Sequence, residues 1–325
     1  RMDTRSLVLS VLERRRGMRV SGEKLAAAAG VPRAAVWKAV KALIDDGYAI
    51  DSLRGEGYAL SPDCDMISEA AIRAFLPPRL ADATIVVKDA TASTNIDAAA
   101  LAADGAPNGS VVVALSQNAG QGRVGKSFFS PLGGIYFSVV LRVDAPLSAA
   151  PLITHAAAVS VAQAFERLLG VSPAIKWVND LFVDGKKVCG ISAQATADFF
   201  SSQLRSVVVG IGIDYSSDLS AFPEELRGVA GVLFPKDAPP VRSRLIADIV
   251  SSLSAHATHL DPGAFMPEYR RRCFVIGRRV DYVFDNVPES GVATDVADDG
   301  ALIVMTDDGR ERRLSSGEIS VRVKS

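Results

Sequence analysis

The stretch that most restricts how this chain can fold is residues 120–127, Gly-Gln-Gly-Arg-Val-Gly-Lys-Ser. It matches G-x-x-x-x-G-K-[ST], a phosphate loop that must run straight into a helix whose first N–H groups hold the phosphates. Here the sequence continues Phe128-Phe129-Ser130-Pro131-Leu132-Gly133-Gly134. One proline and two glycines bar a helix at that point, and residues 135–141 then read as a strand. The phosphate-loop fold is excluded, and the segment is a loop between strands. Its three glycines expose backbone N–H groups, and Arg123 and Lys126 add positive charge, a combination suited to an anionic ligand. A flexible hairpin loop has the same composition, so this segment alone does not decide between the two.

Around this loop the chain alternates element types. Strand patterns fall at 84–88, 110–115, 135–141, 181–183, 188–193 and 206–213, and helix patterns at 95–103, 152–169, 242–257 and 264–272. In the second helix Leu152, Ala156, Val159, Ala162, Phe165 and Leu169 recur every three or four residues, which predicts one buried face. Long strands joined by hairpins, with helices inserted, predict an α+β layer built on a mixed sheet. From residue 275 onward, short strand-like runs (279–284, 291–296, 301–305, 319–323) are split by Asp-Asp-Gly at 298–300 and 307–309. That pattern predicts a small C-terminal β-barrel of SH3-like kind. A polar break at Ser61-Pro62-Asp63-Cys64-Asp65 separates a head. The expected domains are therefore 1–65, 66–272 and 273–325.

The head reads as helix, helix, turn, helix and hairpin. Ser21 is placed to cap a helix running to residue 29, Gly30-Val31 make the turn, and Pro32 can start the next helix because its missing N–H is not needed there. The helix 33–45 turns Val36, Val40 and Leu43 inward and is stopped by Gly47. Strands at 48–53 and 58–60 then flank Arg54-Gly55-Glu56-Gly57. This is the order of a winged helix-turn-helix, whose third helix enters a major groove while the hairpin lies on the backbone. Arg33, Ala34, Trp37, Lys38 and Lys41 on that helix, and Arg54 in the wing, are the candidate DNA contacts. Trp37 can flank the groove or pack under the wing, and packing is the expectation. Charge supports the division: residues 1–61 hold 11 Lys+Arg against 7 Asp+Glu, and the remaining 264 hold 25 against 30. A basic head on an acidic body points to a polyanion met by the head alone.

At 48% hydrophobic and 22% charged residues the chain is not a disordered one. No apolar run is expected to approach the ~18 residues of a membrane span. The start, Arg1-Met2-Asp3-Thr4-Arg5, lacks the apolar core of a signal peptide, so a cytoplasmic protein that meets no membrane is expected. Cys64, Cys189 and Cys273 are far apart, and His256 and His259 have no cysteine nearby, so neither a disulfide framework nor a metal site is predicted.

Several motifs in one order carry a resemblance. Ser93-Thr94-Asn95; Gln117-x-Ala119-Gly120-x-Gly122-Arg123-x-Gly125-Lys126 with Phe129-Ser130-Pro131; Lys176-Trp177-x-Asn179-Asp180; Gly185-Lys186-Lys187-x-x-Gly190-Ile191; and Gly210-Ile211-Gly212-Ile213 together resemble biotin protein ligases. The head, with Gly55-Glu56-Gly57-Tyr58, and the ending Gly317-Glu318-Ile319-Ser320-Val321-Arg322 resemble the bifunctional form, ligase plus biotin operon repressor. The resemblance implies a two-step reaction: biotin and ATP give biotinyl-5′-AMP and pyrophosphate, with Mg2+ accompanying the nucleotide, and biotin then passes to a lysine of a biotin carboxyl carrier domain. It also implies that the adenylate promotes homodimerisation and operator binding.

The residue chemistry is compatible on its own terms. Adenylation needs fixed cations and N–H donors rather than a nucleophilic side chain, and Arg123, Lys126, Lys176 and Lys187 are the candidates. The Asp184-Gly185 turn leads into a strand expected to put Lys187 on the face of Cys189 and Ile191. A lysine there is either paired with an anion or an edge charge facing water. By resemblance, Arg123 and Lys187 are the catalytic pair, holding the biotin carboxyl and the α-phosphate. Ser93, Thr94, Asn95, Gln117, Gly120, Gln121, Gly122, Gly190 and Gly210 complete a biotin site. Lys126, Phe128, Lys176, Asn179, Asp180 and Gly212, with Arg123, surround the nucleotide. Ser93 or Thr94 can equally be the cap of the helix from Asn95, and the strand glycines can be ordinary bulges.

Five positions depart from the family pattern: Gln121 for an arginine, Phe128 for a tryptophan, Val178 for a proline, Asp214 for an asparagine, and Pro32 for a capping hydroxyl. Asp214 either helps hold magnesium or repels phosphate. Gln121 and Asp214 motivate a non-enzymatic biotin-sensing transcription factor as the alternative. A lipoate or octanoate transfer enzyme on a related scaffold is the third reading.

Overall fold

The computed structural model describes residues 3–123, 125–197, 203–315 and 319–321. The head comprises α1 (Thr4–Arg14), α2 (Gly22–Ala29), α3 (Arg33–Asp45) and the antiparallel hairpin β1 (Ile50–Leu53) and β2 (Gly57–Leu60). Local chemistry sets each boundary. Asp3 accepts from Ser6 N at 2.7 Å, and Ser21 accepts from Lys24 N at 3.2 Å. Gly30 closes α2 at φ +65°, and Pro32 caps α3 without a side-chain bond. Gly57 is obligatory: at φ +110° its missing Cβ would lie well under 3.0 Å from the Val20 carbonyl, to which Tyr58 N donates at 2.9 Å. Val8, Leu12, Leu25, Val36, Val40, Leu43 and Leu60, with Cys64 and Ala70, form a core cluster distinct from the central one.

The central layer is a seven-stranded sheet in the order β3-β4-β5-β9-β8-β7-β6, parallel only between β3 (Ile85–Lys88) and β4 (Ser110–Ala114). Its other members are β5 (Ile135–Leu141), β6 (Ala174–Lys176), β7 (Asp180–Val183), β8 (Lys186–Ala197) and β9 (Leu204–Ile213). The short α4 (Glu69–Arg73) precedes it, and α7 (Glu224–Arg227) follows it. Alternation along the strands splits the packing between two faces. Val112, Val140 and Val208 meet Ala98 and Ala102 of α5 (Thr94–Ala103). Val111, Val113, Val139 and Leu141 belong to the main core with α6 (Ala150–Leu169), α8 (Arg242–Thr258) and α9 (Met266–Arg272). The expectation about apolar runs needs one correction. Leu147–Leu169 is long and apolar enough to cross a membrane, but 67% of its apolar window is buried within the protein, as befits a core helix.

The last unit contains β10 (Arg279–Phe284), β11 (Val287–Val296), β12 (Leu302–Thr306), β13 (Glu311–Leu314) and β14 (Ile319–Val321), ordered β13-β12-β11-β10-β14 and antiparallel throughout. Among the described residues no pair closes this sheet, so the expected barrel is seen as an open five-stranded sheet. Gly317, Glu318, Arg322 and the last two residues of the expected strand 319–323 lie outside the described residues. The unit docks through its 298–300 turn: Trp177 Nε1 donates to the Gly300 carbonyl at 3.0 Å, and Gly300 sits against the His155 ring. Burial pushes that imidazole down to about 4, so it is neutral at physiological pH.

Candidate functional site

The N-terminus of α5, the loop between β4 and β5, and the β6–β7 connection converge on a cleft of about 340 Å³ over β8 and β9. Every predicted ligand residue lines it except Gly120, which is packed against the Phe128 carbonyl beneath the loop. Arg123 and Lys187, 64 positions apart in sequence, are held by consecutive residues. Arg123 Nη1 donates to Asn179 Oδ1 at 3.3 Å, and Lys187 Nζ pairs with Asp180 Oδ1 at 2.8 Å. Asn179 is itself clamped to β8, its Nδ2 donating to the Ile191 carbonyl at 2.7 Å while its own carbonyl accepts from Ile191 N at 3.0 Å. Lys126 and Lys176 add two more cations to the lining, and Asp180 is its one carboxylate among the described residues.

Lys187 does not share a face with Cys189 and Ile191. The register runs Leu181↔Cys189 but Phe182↔Lys187, so Val188 is an extra residue opposite no partner. This bulge shifts the phase and turns Lys187 to the side of Gly190, whose missing Cβ leaves Nζ 3.3 Å away. The backbone at 187 is also gripped from outside the sheet, Lys187 N donating to Val229 O at 2.9 Å and Gly231 N to Lys187 O at 2.7 Å.

The far end of the cleft is a polar floor. Thr94 N donates to Gln117 Oε1 at 2.8 Å, and Gln117 Nε2 donates to Ser130 Oγ at 2.9 Å. The Asn95 amide lies between Ser192, at 2.9 Å, and Ser138, at 2.6 Å. Ser93 stands at the N-cap of α5, but its side chain makes no capping bond. The strand glycines are not bulges, since Gly190 faces Gly212 and Ser192 faces Gly210 in regular register. They are sites of close approach: Gly210 admits Asn95, and Gly190 and Gly212 admit the Phe128 ring. Lys187 Nζ lies 5.9 Å from the centroid of that ring. The sequence reading missed Ser138, Ser192 and Trp177. Ser138 interrupts a fully buried apolar strand and Ser192 is itself buried on β8, and a buried hydroxyl needs a partner, which was the available signal.

Gln121 is exposed and takes a 3.3 Å hydrogen bond from Gln194 on β8. Val178 is buried behind the cleft, its carbonyl accepting from Tyr269 at 3.0 Å. Asp214 neither lines the cleft nor faces solvent. It is 4% exposed with Oδ1 unpartnered, and burial raises its carboxyl to about 7, a rise that Lys187 partly opposes. Because the folded value lies above the unfolded 3.8, the protonated form is the one folding favours. Its stabilising contribution is complete below pH 4 and is lost as pH climbs through about 7. Asp214→Asn should flatten this slope and raise Tm at pH 8, the gain in stability being about 4 kcal/mol at most. Thermal unfolding from pH 5 to pH 8 checks it, and parallel curves for both proteins would refute it.

On the head, Arg33, Ala34, Lys38 and Lys41 are exposed along one face of α3, and Arg54 is exposed at the wing tip. Trp37 is not packed under the wing. It is 56% exposed on the same face, with Lys41 Nζ 5.7 Å from its ring centroid.

Comparisons with known proteins agree with this division. Residues 88–214 match the Biotin/lipoate A/B protein ligase family, residues 4–59 an HTH domain, and residues 275–322 the Biotin protein ligase C terminal domain. The chain is 32% identical over 302 residues to the bifunctional ligase/repressor BirA of Bacillus subtilis, covering 91% of this chain and 92% of that one. It is 32% identical over 240 residues to the biotin–[acetyl-CoA-carboxylase] ligase of Mycobacterium tuberculosis, covering 70% and 85%. The biotin protein ligase of Aquifex aeolicus, solved with biotin and ATP, superposes with a TM-score of 0.60 at 24% identity, over 74% of this chain and 99% of that one, which shows a shared fold.

Proposed function

This chain belongs to the family of bifunctional biotin ligase/repressors, and from that premise we propose that it forms biotinyl-5′-AMP from biotin and ATP, transfers biotin to a carrier lysine, and represses transcription through its head. The observation that carries the ligase reading is the convergence of Arg123 and Lys187 on one cleft, clipped by Asn179 and Asp180. In the first step a carboxylate oxygen attacks the α-phosphorus and pyrophosphate leaves. In the second a lysine amine attacks the acyl carbon and AMP leaves. Two anions must be brought together, and negative charge grows on phosphorus. Fixed guanidinium and ammonium groups oppose both costs without reorganising during the reaction.

We assign the floor of Ser93, Thr94, Asn95, Gln117 and Ser192 to the ureido ring of biotin. Gly122, Gln121, Gly190 and Gly210 lie along its length, with Arg123 and Lys187 at its carboxyl. Lys126, Lys176, Phe128, Asn179, Asp180 and Gly212 are assigned to the nucleotide, Phe128 supplying an aromatic face and the lysines counter-charge. Mg2+ fits as a companion of the phosphates rather than as a resident ion. Among the described residues Asp180 is the single carboxylate lining the cleft and is already paired, so phosphate oxygens and water would complete the shell. When bound, the ion neutralises phosphate charge. The domains assigned are 1–65, 66–272 and 273–325, in a cytoplasmic protein that dimerises on ligand binding.

Incubating the protein with Mg-ATP, biotin and a biotin carboxyl carrier domain tests the reading. Pyrophosphate release with biotinylation of the carrier lysine is expected. Tight biotin binding without turnover would instead support the sensor reading, and competition by octanoate the lipoate one. For the head, Arg33→Ala and Lys41→Ala should each weaken operator binding by roughly tenfold and reduce its salt slope by about one. Fluorescence anisotropy across a salt series checks this, and parental affinity in both variants would remove α3 from the interface.

A further inference from the structure

Ser138 lies on β5, is fully buried and does not line the cleft, yet it joins the side chains that do. Its oxygen is 2.6 Å from the Asn95 amide and 2.7 Å from Thr94 Oγ1, and Thr94 Oγ1 is 3.1 Å from Gln117 Oε1. The other end of the Asn95 amide is 2.9 Å from Ser192 Oγ. Three of these contacts draw on the hydrogens of two hydroxyls, Ser138 and Thr94, and each hydroxyl has one to give. Gln117 Oε1 is fixed as an acceptor because the Thr94 backbone N–H points at it, and the Gln117 NH2 is turned to Ser130. Thr94 therefore gives its hydrogen to Gln117, Ser138 gives its own to Thr94, and only lone pairs remain on Ser138 toward Asn95. The count closes when Asn95 turns its NH2 to Ser138 and its carbonyl oxygen to the Ser192 hydroxyl. The two ends of an amide have the same shape, and hydrogen accounting decides between them.

We infer that Ser138 is a positioning residue that sets the polarity of the floor, making hydrogens run one way from Asn95 through Ser138 and Thr94 to Gln117. This leaves Ser192 Oγ with lone pairs, and Asn95 and Gln117 each with one uncommitted N–H. A floor holding both kinds of group suits a cyclic urea, which has N–H donors on either side of one carbonyl. The inference rests on the biotin reading of the site and adds to it a specificity residue that never touches the ligand.

Steady-state kinetics of Ser138→Ala test it. KM for biotin should rise about 10- to 100-fold, while KM for ATP and kcat at saturating biotin stay within threefold. Ser138→Cys, of similar size with a weaker donor, should fall between, and it keeps the test open if the alanine variant misfolds. Desthiobiotin, which keeps the urea, should lose as much as biotin. 2-Iminobiotin, whose ring carbonyl is replaced, should lose little, so the parental preference for the urea shrinks. An unchanged KM for biotin, or equal losses for all three compounds, overturns the inference. A parent protein that biotinylates nothing overturns the biotin reading itself, before any variant is made.

Discussion

Lys187→Ala should slow adenylate formation about 10²- to 10³-fold, the usual cost of removing one fixed charge donor at a developing anion, about 3–4 kcal/mol. The loss has a second source. Asp180, now paired with Lys187 at 2.8 Å, becomes an uncompensated carboxylate inside a cleft that must admit phosphate. Adding Asp180→Asn should therefore recover part of the rate, the sign that charge rather than shape was lost. Stability should barely change, because both side chains are partly exposed, at 29% and 21%, and such pairs are worth about 0–1 kcal/mol. Rapid-quench measurement of pyrophosphate release separates this from carrier transfer. A rate within threefold of the parent would remove Lys187 from the chemistry.

Gly210→Ala should abolish measurable biotin binding, with an affinity loss of at least about 100-fold. A Cβ there would fall well under 3.0 Å from the Asn95 amide, which is 3% exposed and held from both sides. Neither strand neighbour can yield, since β9 is buried along nearly its whole length between β5 and β8. Overpacking costs about 1–3 kcal/mol, and an orphaned buried amide about as much again. Tm should fall by several degrees while the separate core of the head is unaffected, so DNA binding by the unliganded protein should survive. Gly212→Ala is a useful contrast. Its Cβ would meet the Phe128 ring, which is carried on a loop and can swing, so a smaller loss confined to the nucleotide is expected. Titration calorimetry with each ligand distinguishes the two variants, and parental biotin affinity in Gly210→Ala would contradict the packing.

How much of this was legible in the sequence depended on whether local chemistry decided the outcome. The periodicity of 152–169 fixed a helix seen at Ala150–Leu169, and Ser21, Gly30 and Gly47 marked the ends of the helices in the head. Pro131 with Gly133 and Gly134 excluded a helix where β5 now begins. Three residues, Ala174–Lys176, were too few to read as a strand, although they carry Lys176 and lead to Asn179. Trp37 was expected to pack under the wing, yet residues 36, 40 and 43 already fill the inward face of α3. Ser138 gave one faint signal, a hydroxyl within an apolar run. Only its three-dimensional neighbours reveal that a lone hydroxyl in an apolar strand has work to do.

The unpaired Val188 makes the position of Lys187 a matter of counting. Side chains alternate along a strand, so pairing Val188 opposite Phe182 in a regular ladder, with every residue retained, would turn the ammonium to the side of Cys189 and Ile191, into the apolar layer. Two relatives can therefore share every residue of this segment and differ in activity by the presence of the bulge alone, and parity across β8 is a better guide to a working lysine than the letters themselves.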